Sequence, residues 1–427
     1  MKQLDNRLKK YFKTQSFNTD LPDHEIVSLE NGMKLVYKQV PFSQISHCGI
    51  MINSGSKNDM DNPGLAHFVE HMIFKGTKNR KGVHILNRIE SIGGELNAFT
   101  DRQVTCLYTS AMNEYTERSV ELLSDMFQNS VFPAREIPKE RNVILDEISM
   151  YQDNPEETIY DEFYSMSFGD HPYGNPVLGT TESVNAIGKT ELETFYKRYY
   201  QPENAVFSYV GSLPIKKVKQ WVEKHVKADI NPISVQEEEY QNSLNTFEKR
   251  IKSDHVQSYA VMGFPAYSYS HKKRAVLSFI TNLLGGPAMN SRLSLNIREK
   301  YGFAYQLEAN YSAYKSGGLF SCFVSTHPKQ MKRCLKLIEN ELNKLKNKSM
   351  GTKQLSLAKK QFIGQILMAE ENNAGLMSGL GKEFVLYNKI TTTDQLLLDI
   401  DSISREDVLE VSNEIFNNNL RSILVYS

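Results

Sequence analysis

Apolar positions along the chain follow two periods, and stretches of each alternate. KLVYKQV (34–40), HCGIMINSGS (47–56), QVTCLYTSAM (103–112) and NAVFSYVGS (204–212) are short runs rich in β-branched and aromatic residues, the pattern of strands. Between them, GLAHFVEHMIF (64–74), VHILNRIESIG (83–93), ERSVELLSDMF (117–127) and PKERNVILDEISMY (138–151) space apolar residues three and four apart, which predicts amphipathic helices. The same alternation returns downstream. Strands are predicted at VQSYAVMGF (256–264), FAYQLEANYSAY (303–314) and GLFSCFVST (318–326), and helices at RAVLSFITNLLG (274–285), NSRLSLNIREKY (290–301) and KQMKRCLKLIENELNKL (329–345).

The break between the two series is ADINPISVQEEEYQNSLNTF (228–247), a polar, acidic stretch with Pro232 and no apolar period, which reads as a linker. The halves share an order: residues 96–127 and 307–342 both run strand, turn, strand, helix, although few residues are identical. The expected fold is therefore α+β, two similar tandem domains, each a mostly antiparallel sheet packed against helices. Their bounds are 1–227 for an N-terminal domain and 248–427 for a C-terminal one. The period of about 210 residues is too long for a solenoid. Residues 1–17, MKQLDNRLKKYFKTQSF, are basic but lack the apolar core of a secretory signal, and are expected to form a helix at the domain edge.

Composition narrows the classes. The 427 residues carry 50 Lys+Arg against 50 Asp+Glu, which gives no support to a nucleic-acid binder. No apolar run reaches the length of a membrane span. Four scattered cysteines, Cys48, Cys106, Cys322 and Cys334, form no metal or disulfide spacing and are expected as buried thiols in a reducing, cytoplasmic setting. The zero net charge is a sum of opposites. Residues 1–230 hold 26 Lys+Arg and 31 Asp+Glu, and the remainder 24 and 19, a weak sign that the halves face one another.

Chemistry concentrates in His67, Glu70 and His71. Residues four apart share a helix face, so both imidazoles can address one ion, with the Glu70 carboxylate beside it. A divalent ion held by neutral imidazoles lowers the pKa of water to about 7, and an adjacent carboxylate can take the proton as hydroxide attacks a carbonyl. In a chain of this composition a His-x-x-acid-His pattern arises by chance about 0.03 times. A catalytic zinc site generally needs a third protein ligand. The best candidate is Glu147, which lies seven residues from Glu140 on one face of a strongly helical stretch. One of the two can ligate while the other orients the site.

HFVEH followed by MIFKGT resembles the inverted zinc-binding signature of the pitrilysin and insulin-degrading-enzyme superfamily, the inverzincins. ERNVILDEI, LNAFTDRQVTCLY, HPYGNPVLGT, YYQPENAVFSYVGS and SRLSLNIREKYGFAY extend the likeness over about residues 24 to 420, in the same order and spacing. The length is similar to the small two-domain members, such as the mitochondrial processing peptidase subunits and bacterial zinc peptidases. The resemblance implies one zinc ion per chain, ligated by His67, His71 and Glu147, with Glu70 as general base and Glu140 as a supporting acid. It also implies that the strand containing Asn97, Ala98 and Phe99 binds peptide by adding it to a sheet edge. From the C-terminal half, Arg298 and Tyr305 would contact substrate backbone and stabilise the oxyanion. LLGGPAMNSRL departs from the family's glycine-rich loop, with Pro287 stiffening it, so that loop's role is not carried over.

The expected function is a zinc metalloendopeptidase acting on peptides or unfolded protein segments in a closed chamber. A homodimer is expected, with a heterodimer as the variant, and neither nucleic acid nor membrane as partner. The alternative is a non-catalytic subunit of the same fold serving substrate recognition. Such subunits usually carry a broken motif, whereas all four residues stand here.

Overall fold

A computed structural model describes residues 23–59, 61–227, 244–253 and 255–427. The helix expected over residues 1–17 and most of the expected linker lie outside them. Two sheets form. The first contains β1 (Glu25–Ser28), β2 (Lys34–Gln39), β3 (Ile45–Ile52), β4 (Glu95–Thr100), β5 (Thr105–Met112) and β6 (Ala205–Gly211), in the order β1-β2-β6-β3-β5-β4. The second contains β7 (Glu248–Ile251), β8 (Ser258–Ala266), β9 (Ala304–Ala313), β10 (Gly318–Thr326) and β11 (Ser422–Tyr426), in the order β7-β11-β8-β10-β9. Without β1 the orders correspond strand for strand. One parallel pair occupies the same place in each, β2 with β6 and β7 with β11, and every other pairing is antiparallel. Two tandem α+β domains of one topology result.

β6 and β10 are buried at every position, which a sheet with one wet face could not produce. Each sheet is covered twice. One face packs against the helices of its own half: in the N-terminal core Ile50, Leu107 and Phe207 meet Phe68, Met72, Leu123 and Phe195. The other face receives a helix from the opposite half. Pro155–Phe168 places Ile159, Phe163 and Phe168 among Val261, Leu319, Phe323 and Leu424 of the second sheet. In return Asn373–Tyr387 lies on β3 and β6, where the Ser208 hydroxyl donates to the Met377 carbonyl at 2.7 Å. Gly381 permits that approach, since a Cβ there would sit 3.1 Å from the Ser208 Cβ.

The halves therefore meet mainly through apolar surface. The charge bias between them appears in the ion pair of Asp101 with Lys382 but runs the other way in Lys38 with Glu370. The segment 244–247 is no free connector: Leu244 and Phe247 pack beside the exchanged helix, and the Asn245 N–H donates to the Ser167 carbonyl. NSRLSLNIREKY is helical as its period predicts, but Ser294–Glu299 winds as a π-helix. All four cysteines are free and buried. Among the described residues no helix is long and apolar enough to cross a membrane.

Candidate metal centre

The helix Leu65–Ile73 buries Leu65, Phe68, Val69, Met72 and Ile73 in the N-terminal core and thereby aims His67, Glu70 and His71 at the neighbouring helix and strand. Its start is built with care for unsatisfied backbone donors. The buried Asp59 carboxylate accepts the N–H groups of Gly64 at 2.7 Å and Ala66 at 2.8 Å. Burial pushes the Asp59 carboxyl well up, and these donors oppose the shift. Gly64 takes a left-handed φ of 89° and packs against Gly179, φ 78°, where an added Cβ would lie 2.3 Å from the Pro63 carbonyl oxygen. The HPYGNPVLGT segment thus seats the first turn of the histidine helix.

The helix Ile137–Gln152 anchors itself through Ile137, Ile144 and Ile148 and presents Glu140 and Glu147 toward the histidines. Glu147 Oε2 lies 3.8 Å from His67 Nε2 and 3.5 Å from His71 Nε2. One donor atom from each of the three side chains falls within 4.8 Å of the others. Glu140 sits on the far side of His71, its Oε2 3.4 Å from Nδ1 while Oε1 receives Lys75 Nζ at 2.6 Å. With a proton on Nδ1 toward this carboxylate, His71 would have Nε2 for a metal ion.

Electrostatics keep the donors available. Burial and the neighbouring His71 hold the His67 imidazole down to about 4, with Glu147 opposing. For His71, burial lowers the imidazole, but the hydrogen bond and charge of Glu147 and the carboxylates of Glu70 and Glu140 outweigh it and the net direction is up. The hydrogen bond from His71 holds Glu147 below the usual carboxylate range. His67 Nδ1 is buried with no hydrogen-bond partner. Two imidazole nitrogens and a carboxylate oxygen converging with no protein cation among them suit zinc, which takes N and O donors of this kind with one position left open.

Glu70 projects from the same helix toward β4, the open edge of the first sheet. The Thr100 hydroxyl, on the last residue of that strand, donates to Glu70 Oε2 at 2.5 Å. Burial pushes the Glu70 carboxyl up, and the Thr100 hydrogen bond and His71 oppose it. Asn97 is exposed and Ala98 and Phe99 half-buried on β4. A cavity of about 780 Å³ opens beside Glu70 and His71, walled by Phe74, Val83, Leu86, Val131 and Pro133.

His67, Glu70, His71, Glu140 and Glu147 are thus brought together, and the Asn97–Phe99 edge begins beside them. Arg298 and Tyr305 are not joined to them. Arg298 pairs with its neighbour Glu299 at 3.1 Å, and Tyr305 on β9 is 61% exposed. Residue patterns missed Lys75, which compensates Glu140, and Asp59, which holds the helix start. Lys75 stands four residues after His71, a spacing that would have placed it on the same face.

A family model described as insulinase (peptidase family M16) matches residues 34–181, and one described as peptidase M16 inactive domain matches 186–362. His67, His71 and Glu147 fall in the first. An uncharacterized zinc protease of Bacillus subtilis is 29% identical over 400 residues, 93% of this chain and 96% of the relative. One of Mycobacterium leprae is 30% identical over 398 residues, 91% and 88%. The crystal structure of a protease from Helicobacter pylori superposes with a TM-score of 0.89 at 22% identity, covering 95% of this chain and all of that one.

Proposed function

The chain belongs to peptidase family M16, the insulinase family, and from that membership and the geometry of the site we propose that it is a zinc-dependent endopeptidase cleaving extended peptides or unfolded protein segments. The observation that carries this reading is the convergence of His67, His71 and Glu147 within 4.8 Å, with Glu70 on the same helix. Zinc would be held by those three residues and would supply a Lewis-acid charge that polarises a carbonyl and acidifies water. The protein's own contribution is proton handling and alignment. Glu70, its carboxyl raised by burial, takes the proton of the attacking water and returns it to the leaving amine. Thr100 holds the Glu70 carboxylate in one orientation. An extended peptide adds to the edge of β4 through main-chain hydrogen bonds, which brings its carbonyl past Glu70, and the cavity, lined by apolar side chains together with Arg80, Lys81 and Arg135, receives a side chain next to the scissile bond.

Arg298 and Tyr305 are proposed as the oxyanion and backbone contacts. Since nothing among the described residues joins them to the cluster, the proposal goes with a homodimer in which facing surfaces enclose the peptide. The intact set of ligands and base argues against a non-catalytic subunit. The test is Glu70→Gln: zinc content should stay near one per chain while peptide hydrolysis falls by about 10²–10⁴-fold. Undiminished turnover in that variant sinks the mechanism.

A further inference from the structure

A second cavity, of about 580 Å³, lies where the halves meet. It begins at Asp101 and Arg102, directly after the Thr100 that touches Glu70, and is closed from the other half by Tyr269, Arg274, Lys382 and Tyr387. Its carboxylates are already committed. Asp101 pairs with Lys382 at 2.5 Å, and Asp161 behind the wall pairs with Arg102. Glu383 accepts the Tyr269 hydroxyl as well as the N–H and hydroxyl of Thr391, at 3.1 and 2.9 Å.

Two cations form no ion pair among the described residues: Arg274, in the cavity wall, and Lys57, which lies near Asp101 and Lys382 but does not line the cavity. The Arg274 guanidinium stacks on the Tyr269 ring at 3.9 Å and makes one long hydrogen bond, to Thr391 Oγ1 at 3.4 Å. Lys57, whose backbone N–H bonds the Arg102 carbonyl, reaches only the side-chain oxygen of Asn53, at 3.0 Å. Among the described residues neither has a carboxylate within 4 Å. Burial holds the Lys57 ammonium down to about 8, with Asp101 opposing and Lys315 and Lys382 adding to the shift. Tyr269 is itself stacked on Tyr387 with the rings nearly parallel, so the Arg274 fork is held on a rigid aromatic platform with its remaining donors free.

We propose that this junction cavity is a substrate subsite for a carboxylate, an Asp or Glu side chain or a free C-terminus of the bound peptide, gripped by Arg274. The proposal rests on the peptidase reading above for the peptide's presence on β4. The cavity begins at the turn Asp101–Val104 that ends β4 next to Thr100, so the group gripped belongs to a residue a few positions from the scissile bond. A guanidinium and a carboxylate meet as two parallel charge-assisted hydrogen bonds, which discriminates Glu from its amide.

Zinc-loaded Glu70→Gln protein, full-length, is titrated with fluorescent decapeptides in which one Glu or Gln is stepped through successive positions, each made with a free and an amidated C-terminus. In one window of positions Glu should bind roughly tenfold tighter than Gln, and Glu70→Gln/Arg274→Gln should bring that ratio close to one. A preference that follows the free C-terminus rather than the side chain identifies the terminal carboxylate as the source. Equal affinity for Glu and Gln peptides and for free and amidated ends, or a preference unchanged by Arg274→Gln, overturns the proposal. The wild-type enzyme is assayed for cleavage of the same peptides. A binding preference with no cleavage anywhere defeats the peptidase reading alone, and absence of both binding and cleavage defeats both.

Discussion

Glu140 should govern how tightly the metal is held although it ligates nothing. Its two oxygens divide between His71 Nδ1 at 3.4 Å and Lys75 Nζ at 2.6 Å. A ligating His71 is neutral, so Glu140 acts on it through a hydrogen bond rather than as a full ion pair. Outer carboxylates on ligating histidines are worth about ten- to a hundredfold in metal affinity, or about 1.4–2.7 kcal/mol. Glu140→Gln retains an oxygen that can accept the Nδ1 proton, so the tautomer survives and only the charge is lost. Glu140→Ala loses both and strands Lys75. Zinc affinity, measured by competition with a chromophoric chelator, should therefore fall in steps, about tenfold for the amide and toward a hundredfold for alanine. If both variants hold zinc as tightly as the parent, Glu140 is a partner of Lys75 alone and the reasoning is refuted.

Thr100→Val removes the donor that favours ionised Glu70. Since Glu70 must be deprotonated to act as base, the acid limb of the pH–activity profile should move to higher pH, and an unmoved limb would show that Thr100 does not act on Glu70. Gly179→Ala places a Cβ on a left-handed residue facing the Pro63 carbonyl and should cost about 1–3 kcal/mol in stability. Because that contact seats the histidine helix, zinc affinity should weaken with it; calorimetry and metal titration together check both. Lys57→Met should be more stable than the parent at pH 7. The folded-state value of about 8 lies below that of the free side chain, 10.5, so charged Lys57 opposes folding by at most about 3 kcal/mol below pH 8. That penalty fades as pH rises from 8 to 10.5, and the stability gap between variant and parent should close over the same window in chemical denaturation.

The cluster of His67, His71 and Glu147 was legible because its parts are local. His67, Glu70 and His71 occupy a single helical turn and a half, and Glu140 and Glu147 share a face by their spacing alone. Strand and helix periods likewise located β2, β5 and β6 to within about two residues, while the run read as 47–56 overshoots the end of β3 by four. What resisted reading depends on partners distant in the chain. The apolar residues Met377, Phe384 and Leu386 announce a buried face, but nothing local says that the face belongs against β3 and β6 of the other half. Asp59 resembles any loop carboxylate until the turn at Gly64 folds two N–H groups onto it. For Arg298 and Tyr305 a spacing suggested the role, but spacing does not bring β9 or the π-helical turn to His67, His71 and Glu147.

The exchange of helices makes each half the missing layer of the other. A half produced alone would leave Val36, Met51 and Val206, or Val261, Phe323 and Leu424, facing water on an otherwise finished sheet. The covalent connection between the halves is accordingly not what keeps them together, and a chain cut between them should remain one particle.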